Sequence, residues 1–294
     1  MPWRTWTTFW VLCLFWGIPY FFIKLALEDF SPAFIAWSRI TLAAVVLVPI
    51  AWKRGTLLPA LRHKGAVVAF AVTELVFPFL LISMGEQWIS SSLAGVLVAT
   101  VPLTVVIIAP LFGVRESMSA RRLFGLIVGL FGVVVLLGVD TISGPQQWAG
   151  VACLAVAVVG YAIGPLVVQR YLADVDELGS LACSLVAASI ILLPLALMSA
   201  PQEMPSALSM ASIAILGVIC TAIALLLYFY LIHAAGAARA SVIAYICPAV
   251  AALLGVVVLR EHFGVGLVAG LALILFGSWL GTTGSVRTAE ASQA

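Results

Sequence analysis

Residues 100–136 read TVPLTVVIIAPLFGVRESMSARRLFGLIVGLFGVVVL, and residues 247–277 read CPAVAALLGVVVLREHFGVGLVAGLALILFG. Each stretch is an apolar run, a short charged break and a second apolar run rich in glycine. At an offset of about 145 residues Glu116, Gly125, Leu126, Leu130, Phe131 and Gly132 fall on Glu261, Gly270, Leu271, Leu275, Phe276 and Gly277. Pro49 falls on Pro194 at the same offset, and Pro102 falls on Pro248 one residue out of step. Chance does not produce such an ordered set, so the chain contains an internal repeat.

Each apolar run is long enough to cross a hydrocarbon core of about 30 Å, which takes roughly 20 helical residues. Working outward, runs between charged or Pro/Gly-rich breaks predict spans near 7–27, 32–51, 66–84, 90–112 and 120–138, then 147–169, 178–198, 208–231, 237–259 and 263–283. The repeat unit therefore holds five spans, and an odd number turns the second unit upside down in the membrane. The expected fold is all-α integral membrane, with ten transmembrane helices as two inverted five-helix repeats. Residues 1–140 form the first repeat, 141–284 the second, and 285–294 a disordered cytoplasmic tail.

Composition agrees. The 294 residues are 64% hydrophobic and 9% charged, with a mean hydropathy of +1.22, far from a soluble domain. A net charge of +2 spread over short loops speaks against nucleic acid as a partner. Five cysteines (Cys13, Cys153, Cys183, Cys220, Cys247) sit in apolar runs without CxxC spacing, as packing residues do. No metal or other cofactor is expected. Arg4 precedes an apolar run, but Trp10, Trp16 and Pro19 interrupt it and no A-x-A-like site follows, so it reads as a retained helix.

Basic residues set an expected orientation. Arg4, Lys53, Arg54, Arg62, Lys64, Arg115, Arg121, Arg122, Arg170, Arg239 and Arg287 fall on the side of the N-terminus, and only Lys24 and Arg260 fall opposite. The positive-inside rule then puts both termini in the cytoplasm of a bacterial inner membrane. Trp3, Trp6, Trp52, Trp88, Trp148 and Trp279 stand at predicted helix ends, the headgroup level that indole prefers.

Inverted repeats favour a carrier whose midplane site is exposed alternately to either side. Glu74 lies near the middle of the third span, where a carboxylate costs about 2.5 to 3.5 kcal/mol on insertion scales. Arg39 in the second span is its expected partner, the two lying roughly 18 and 12 Å deep at a 1.5 Å rise per residue. The alternatives are a packing ion pair and a role in substrate or proton handling. Arg39 aligns with Ser184 and Glu74 with Ile219 or Cys220, so the shared scaffold requires neither charge. Trp16, Tyr20, Trp37, Phe77, Tyr161, Tyr228 and Tyr245 are deep aromatics that either pack or line a pocket. Ser83, Thr100 and Ser241 offer hydroxyls, whose usual fate is back-bonding to their own helix. Pro19, Pro78, Pro102, Pro165 and Pro248 each remove a helix hydrogen bond and are expected as kinks, hinges or cavity edges. The spacings Gly125–Gly129, Gly266–Gly270 and Gly277–Gly281 permit close helix approach, first within the molecule and second in a dimer. The charge pairs Arg115-Glu116 and Arg260-Glu261 read as loop anchors or caps.

WGIPYFFIKLALEDFSPAFIAWSRITLAA (16–44), together with the two stretches quoted first, resembles the EamA domains of the drug/metabolite transporter superfamily. The resemblance rests on the WG turn, Lys24, Arg39, Pro102 and Pro248, Glu116 and Glu261 and the Gly-x6-Gly that follows, and it covers nearly the whole chain. Within that family the chain is most similar to YddG-type amino-acid exporters. The resemblance implies ten helices around a central cavity and export of amino acids or other metabolites. Members often carry Ser-Asn after WG, where this chain has Ile18 and Pro19, which implies a less polar substrate. The expectation is a secondary transporter exporting neutral or aromatic amino acids by alternating access, the alternative being other metabolites or organic cations. The expected partners are a small-molecule substrate and the lipid bilayer; a monomer is compatible with both halves lying in one chain, and the sequence fixes no oligomeric state. No GxxxxGK[ST] supplies ATP chemistry, no GxSxG or HExxH supports an enzyme, and no TVGYG filter supports a channel.

Overall fold

The computed structural model describes residues 3–113, 119–138, 144–235, 243–261 and 264–282. Among them every regular element is helical. Seven helices among the described residues are long and apolar enough to cross a membrane: α1 (Trp3–Ala26), α2 (Pro32–Lys53), α3 (Lys64–Gly85), α4 (Ser91–Phe112), α6 (Pro145–Tyr171), α7 (Glu177–Met198) and α8 (Ala207–Ala235). Three more carry shorter apolar stretches: α5 (Ala120–Gly138), α9 (Ile243–Val257) and α10 (Val265–Thr282). Arg115, Glu116, Arg239, Ser241, His262, Arg287 and the tail 285–294 lie outside the described residues.

The surface identifies the solvent. Val45, Val134, Ile190 and Leu253 lie within helices and are more than 60% exposed. A water-soluble fold avoids that much mid-helix apolar exposure, and lipid removes its cost. Trp3, Trp6, Trp52, Trp148 and Trp279 are exposed near helix ends, as headgroup residues should be. The chain is a multi-pass membrane protein.

Helix starts are capped from within, since a bilayer offers little water for orphan N–H groups. Ser31 accepts from Phe34 N and Ser90 from Leu93 N, each at 3.2 Å. Asp176 Oδ1 accepts from Gly179 N at 2.9 Å, and Ser206 from Ser209 N at 3.2 Å. Pro32 and Pro145 occupy first turns, where a missing N–H leaves nothing unmade.

The prolines behave unequally. α1 is interrupted at Ile18, just before Pro19, and α4 at Ala99–Thr100, just before Pro102. Pro78 follows a π-helical segment, Ala71–Val76. Pro165 and Pro248 sit inside continuous helices. A second π-helical segment, Ile215–Ile223 in α8, has no proline and falls at the repeat offset from the first. Hydropathy carries no trace of either wide turn.

Packing follows the repeat. α2 packs on α7, α4 on α9 and α5 on α10, each helix against its counterpart. Between halves, α1 against α8 mirrors α6 against α3, α1 against α9 mirrors α6 against α4, and α2 against α8 mirrors α7 against α3. The GxxxG spacing is used inside the molecule. A Cβ on Gly125 would stand 2.7 Å from Gly281 N and 2.8 Å from Gly277 O, so α5 and α10 touch backbone to backbone.

Candidate functional site within the helical bundle

Glu74 lies in the wide turn of α3, a feature that recurs at functional positions in helices. Its Oε2 is buried and has no hydrogen-bond partner. Across from it α6 presents Gly164, where a Cβ would meet Glu74 Cβ and Cδ at 3.0 Å each. The carboxyl group thus fills a slot that exists because residue 164 lacks a side chain.

Arg39, on α2, is 8% exposed. Its Nε donates to Thr221 Oγ1 at 2.8 Å, and its guanidinium lies 4.0 Å from the centre of the Phe79 ring. Thr221 stands in the wide turn of α8 and donates to Leu216 O, five residues back, at 2.8 Å. The expected Arg39–Glu74 pair does not form. The π turn of α8 brings a hydroxyl to Nε, the Phe79 face receives the charge, and Glu74 is turned toward α6. The repeat counterpart, Ser184 on α7, donates to Val67 O on α3 at 3.0 Å. Corresponding seams are therefore fastened from corresponding positions, one by an arginine and one by a hydroxyl.

The structure brings part of the sequence-derived set together. Arg39 and Glu74 both lie close enough to the Tyr161 phenol to act on it electrostatically, and Tyr20 is within such reach of Tyr161 and Arg39. Trp16 packs on Tyr228 with ring centres 4.8 Å apart, and Tyr228 also feels Glu74. Trp37 leans toward Phe34 at 5.7 Å, its Nε1 buried without a partner. Tyr245 is half-buried on α9, and Phe77 is 49% exposed, outside the packed clusters. Ser83 and Thr100 bond back to Phe79 O and Leu97 O and add no free hydroxyl. Among the described residues no three metal-ligating side chains converge.

Sequence reasoning passed over a second polar group, at the end where α1 and α3 finish and α4 and α10 begin. Lys24 Nζ donates to Glu86 O at 2.6 Å and Ile89 O at 3.1 Å. Glu86, 0% exposed, follows α3 directly, and both of its carboxyl oxygens lack hydrogen-bond partners. Glu261 accepts from Ser91 N at 2.7 Å, Ser91 Oγ at 2.8 Å and Ser92 N at 2.9 Å, capping α4 from another part of the chain. The cap reading of Arg260-Glu261 thus acquires a specific partner. Nothing in the local sequence marks Glu86, because a carboxylate in a short loop is ordinarily solvated.

The family model described as the EamA-like transporter family matches residues 5–138 and 148–283. The chain belongs to the EamA-like transporter family. EamA membership makes it a transporter rather than an enzyme. Among relatives, it is 28% identical over 249 residues to the uncharacterized inner membrane transporter YedA of Escherichia coli strain K12, covering 83% of this chain and 79% of that protein. An uncharacterized transporter of Archaeoglobus fulgidus is 29% identical over 287 residues, 94% of this chain and 98% of its own. The uncharacterized transporter YoaV of Bacillus subtilis is 24% identical over 275 residues, 92% and 93% of the two chains. A solved crystal structure matches with a TM-score of 0.68 at 20% identity, over 97% of this chain and 98% of its own, a likeness of fold.

Proposed function

We propose that this EamA protein is a secondary transporter that exports small metabolites, with neutral and aromatic amino acids as its substrate class. The observation that carries the reading is the separation of Arg39 from Glu74 around Tyr161 and Tyr20. An amino acid presents a carboxylate and an ammonium group, and two unpaired opposite charges among aromatic rings complement both ends and the side chain. Arg39 is the carboxylate contact, Glu74 the ammonium or proton contact, and Tyr20, Tyr161 and the Trp16–Tyr228 pair the walls.

Ten crossings as two inverted five-helix repeats accompany this reading, with a central cavity between them and both termini cytoplasmic. It is supported by the internal sequence repeat, by two family matches, and by packing that exchanges each helix with the one five later. Alternating access then takes the form of one half rocking against the other about Arg39 and Glu74. The name of the YedA relative supports an inner-membrane location. A second reading, export of an organic cation, draws on the unpartnered Oε2 of Glu74 beside aromatic rings.

Counterflow tests both. Purified protein in liposomes loaded with phenylalanine, threonine or methionine should accumulate labelled external substrate, and Glu74→Gln should alter that uptake. Counterflow with organic cations alone would select the second reading, and no counterflow with any amino acid would overturn the first.

A further inference from the structure

We propose that Glu86 is a proton-carrying site of the transport cycle, separate from Glu74, whose carboxyl group closes the end of the bundle opposite the chain termini when protonated and releases it when ionised. The idea of release rests on the alternating-access reading above. The closed arrangement rests on geometry.

Glu86 is fully buried, and neither carboxyl oxygen finds a donor. An ionised carboxylate without a donor is the most expensive state such a site can hold, so this packing selects the neutral acid. Burial pushes the Glu86 carboxyl well above the usual range, Lys24 and Arg39 pulling against it and Glu261 adding to the rise. Those three charges and the Tyr20 phenol are the groups that act on it or feel it, from α1, α2 and the loop after α9. Lys24 does not serve as an ordinary counter-ion, because two of its donors go to the carbonyls of Glu86 and Ile89.

The same end is pinned by several bonds between loops and helix ends. Asp29 Oδ2 accepts from Ser206 N at 2.9 Å, Ser31 Oγ donates to Ser199 O at 3.0 Å, and Ser209 Oγ donates to Leu25 O at 3.2 Å. Glu261 holds the start of α4. Glu86 is the member of this girdle whose carboxyl group is sealed in without a hydrogen bond. Parting the girdle hydrates it and lowers its proton affinity. The closed end therefore holds more protons than the open end, and rising pH favours opening.

Infrared spectroscopy of the intact protein in lipid reads the state directly. At neutral pH wild type should show carboxylic-acid C=O absorption above the amide I band. Glu86→Gln should lose one component, and Glu74→Gln should keep it. Backbone hydrogen exchange at residues 86–92, corrected for intrinsic catalysis, should rise several-fold in wild type across the pH range where that component disappears, and should stay flat in Glu86→Gln. A Glu86→Gln spectrum identical to wild type overturns the proposal, as does exchange that ignores pH in wild type. Should Glu86→Gln fail to fold, the wild-type titration still decides, since the band and the exchange must change together. Neither readout measures solute movement, so failure of the amino-acid reading leaves this test intact.

Discussion

Gly164→Ala puts the slot around Glu74 to a quantitative test. A Cβ at residue 164 would lie 3.0 Å from both Glu74 Cβ and Cδ and closer still to Oε2. Forcing atoms into a packed interior costs about 1 to 3 kcal/mol, whereas exchanging glycine for alanine inside a helix gains about 1 kcal/mol. The clash therefore wins, and Gly164→Ala should destabilise the protein by up to about 2 kcal/mol, the overpacking cost less the helix gain. In a Glu74→Ala background the carboxyl is gone, leaving a 3.0 Å approach to Cβ that a small shift relieves. There the helix term dominates, and Gly164→Ala should be neutral or stabilising. Thermal unfolding of the four proteins in one lipid-detergent mixture gives the double-mutant cycle, with a coupling of about 1 to 3 kcal/mol expected for side chains in contact. Equal penalties in both backgrounds would refute the reasoning and remove Glu74 from the α3–α6 contact.

Further outcomes follow from individual contacts. Glu261→Ala removes a remote cap from α4 that gathers two backbone N–H groups and two hydroxyls. It should cost at least the roughly 1 kcal/mol of an ordinary cap, read as a lowered melting midpoint. Asp29 is solvent-exposed, and its hydrogen bonds from Ser206 hold its carboxyl below the usual range. Its folded value being depressed, its contribution is present above the unfolded value and fades as pH falls through the folded one. Asp29→Asn should then match wild type at strongly acid pH and fall below it at neutral pH, in melts scanned against pH. Gly277→Val should disrupt the protein far more than Gly281→Val, because a Cβ at 277 would stand 2.5 Å from Gly125 O while nothing lies within 4 Å of one at 281. Comparable melting points for the two variants would contradict the backbone contact between α5 and α10.

Much of the fold was legible in one dimension because a bilayer imposes a one-dimensional rule. Each crossing needs a long apolar run, and charges retreat to the loops. Predicted spans near 32–51, 120–138 and 178–198 meet helices Pro32–Lys53, Ala120–Gly138 and Glu177–Met198. The GxxxG spacings marked the fifth and tenth spans for close approach to some neighbouring helix, and the structure makes each the other's neighbour. Interruptions of regular α-helix were legible only in part. Proline reports a lost hydrogen bond, but Pro165 and Pro248 remain in continuous helices, and the π turn of α8 carries no proline at all.

The site divides in the same way. Sequence alone determined that Arg39 and Glu74 are charges inside long apolar runs, where hydropathy makes any such residue conspicuous. Only the tertiary structure decided their partners, because a partner depends on where neighbouring helices turn a hydroxyl, a ring or a glycine. The wide turn of α8 brings Thr221 to Arg39, Phe79 covers the guanidinium, and Gly164 opens the space that Glu74 fills. Glu86 belongs wholly to the tertiary level. Its neighbours Gln87 and Trp88 read as an ordinary loop, and its burial exists only in the folded chain, where Lys24 reaches its carbonyl and the charges of Lys24, Arg39 and Glu261 act on its carboxyl group.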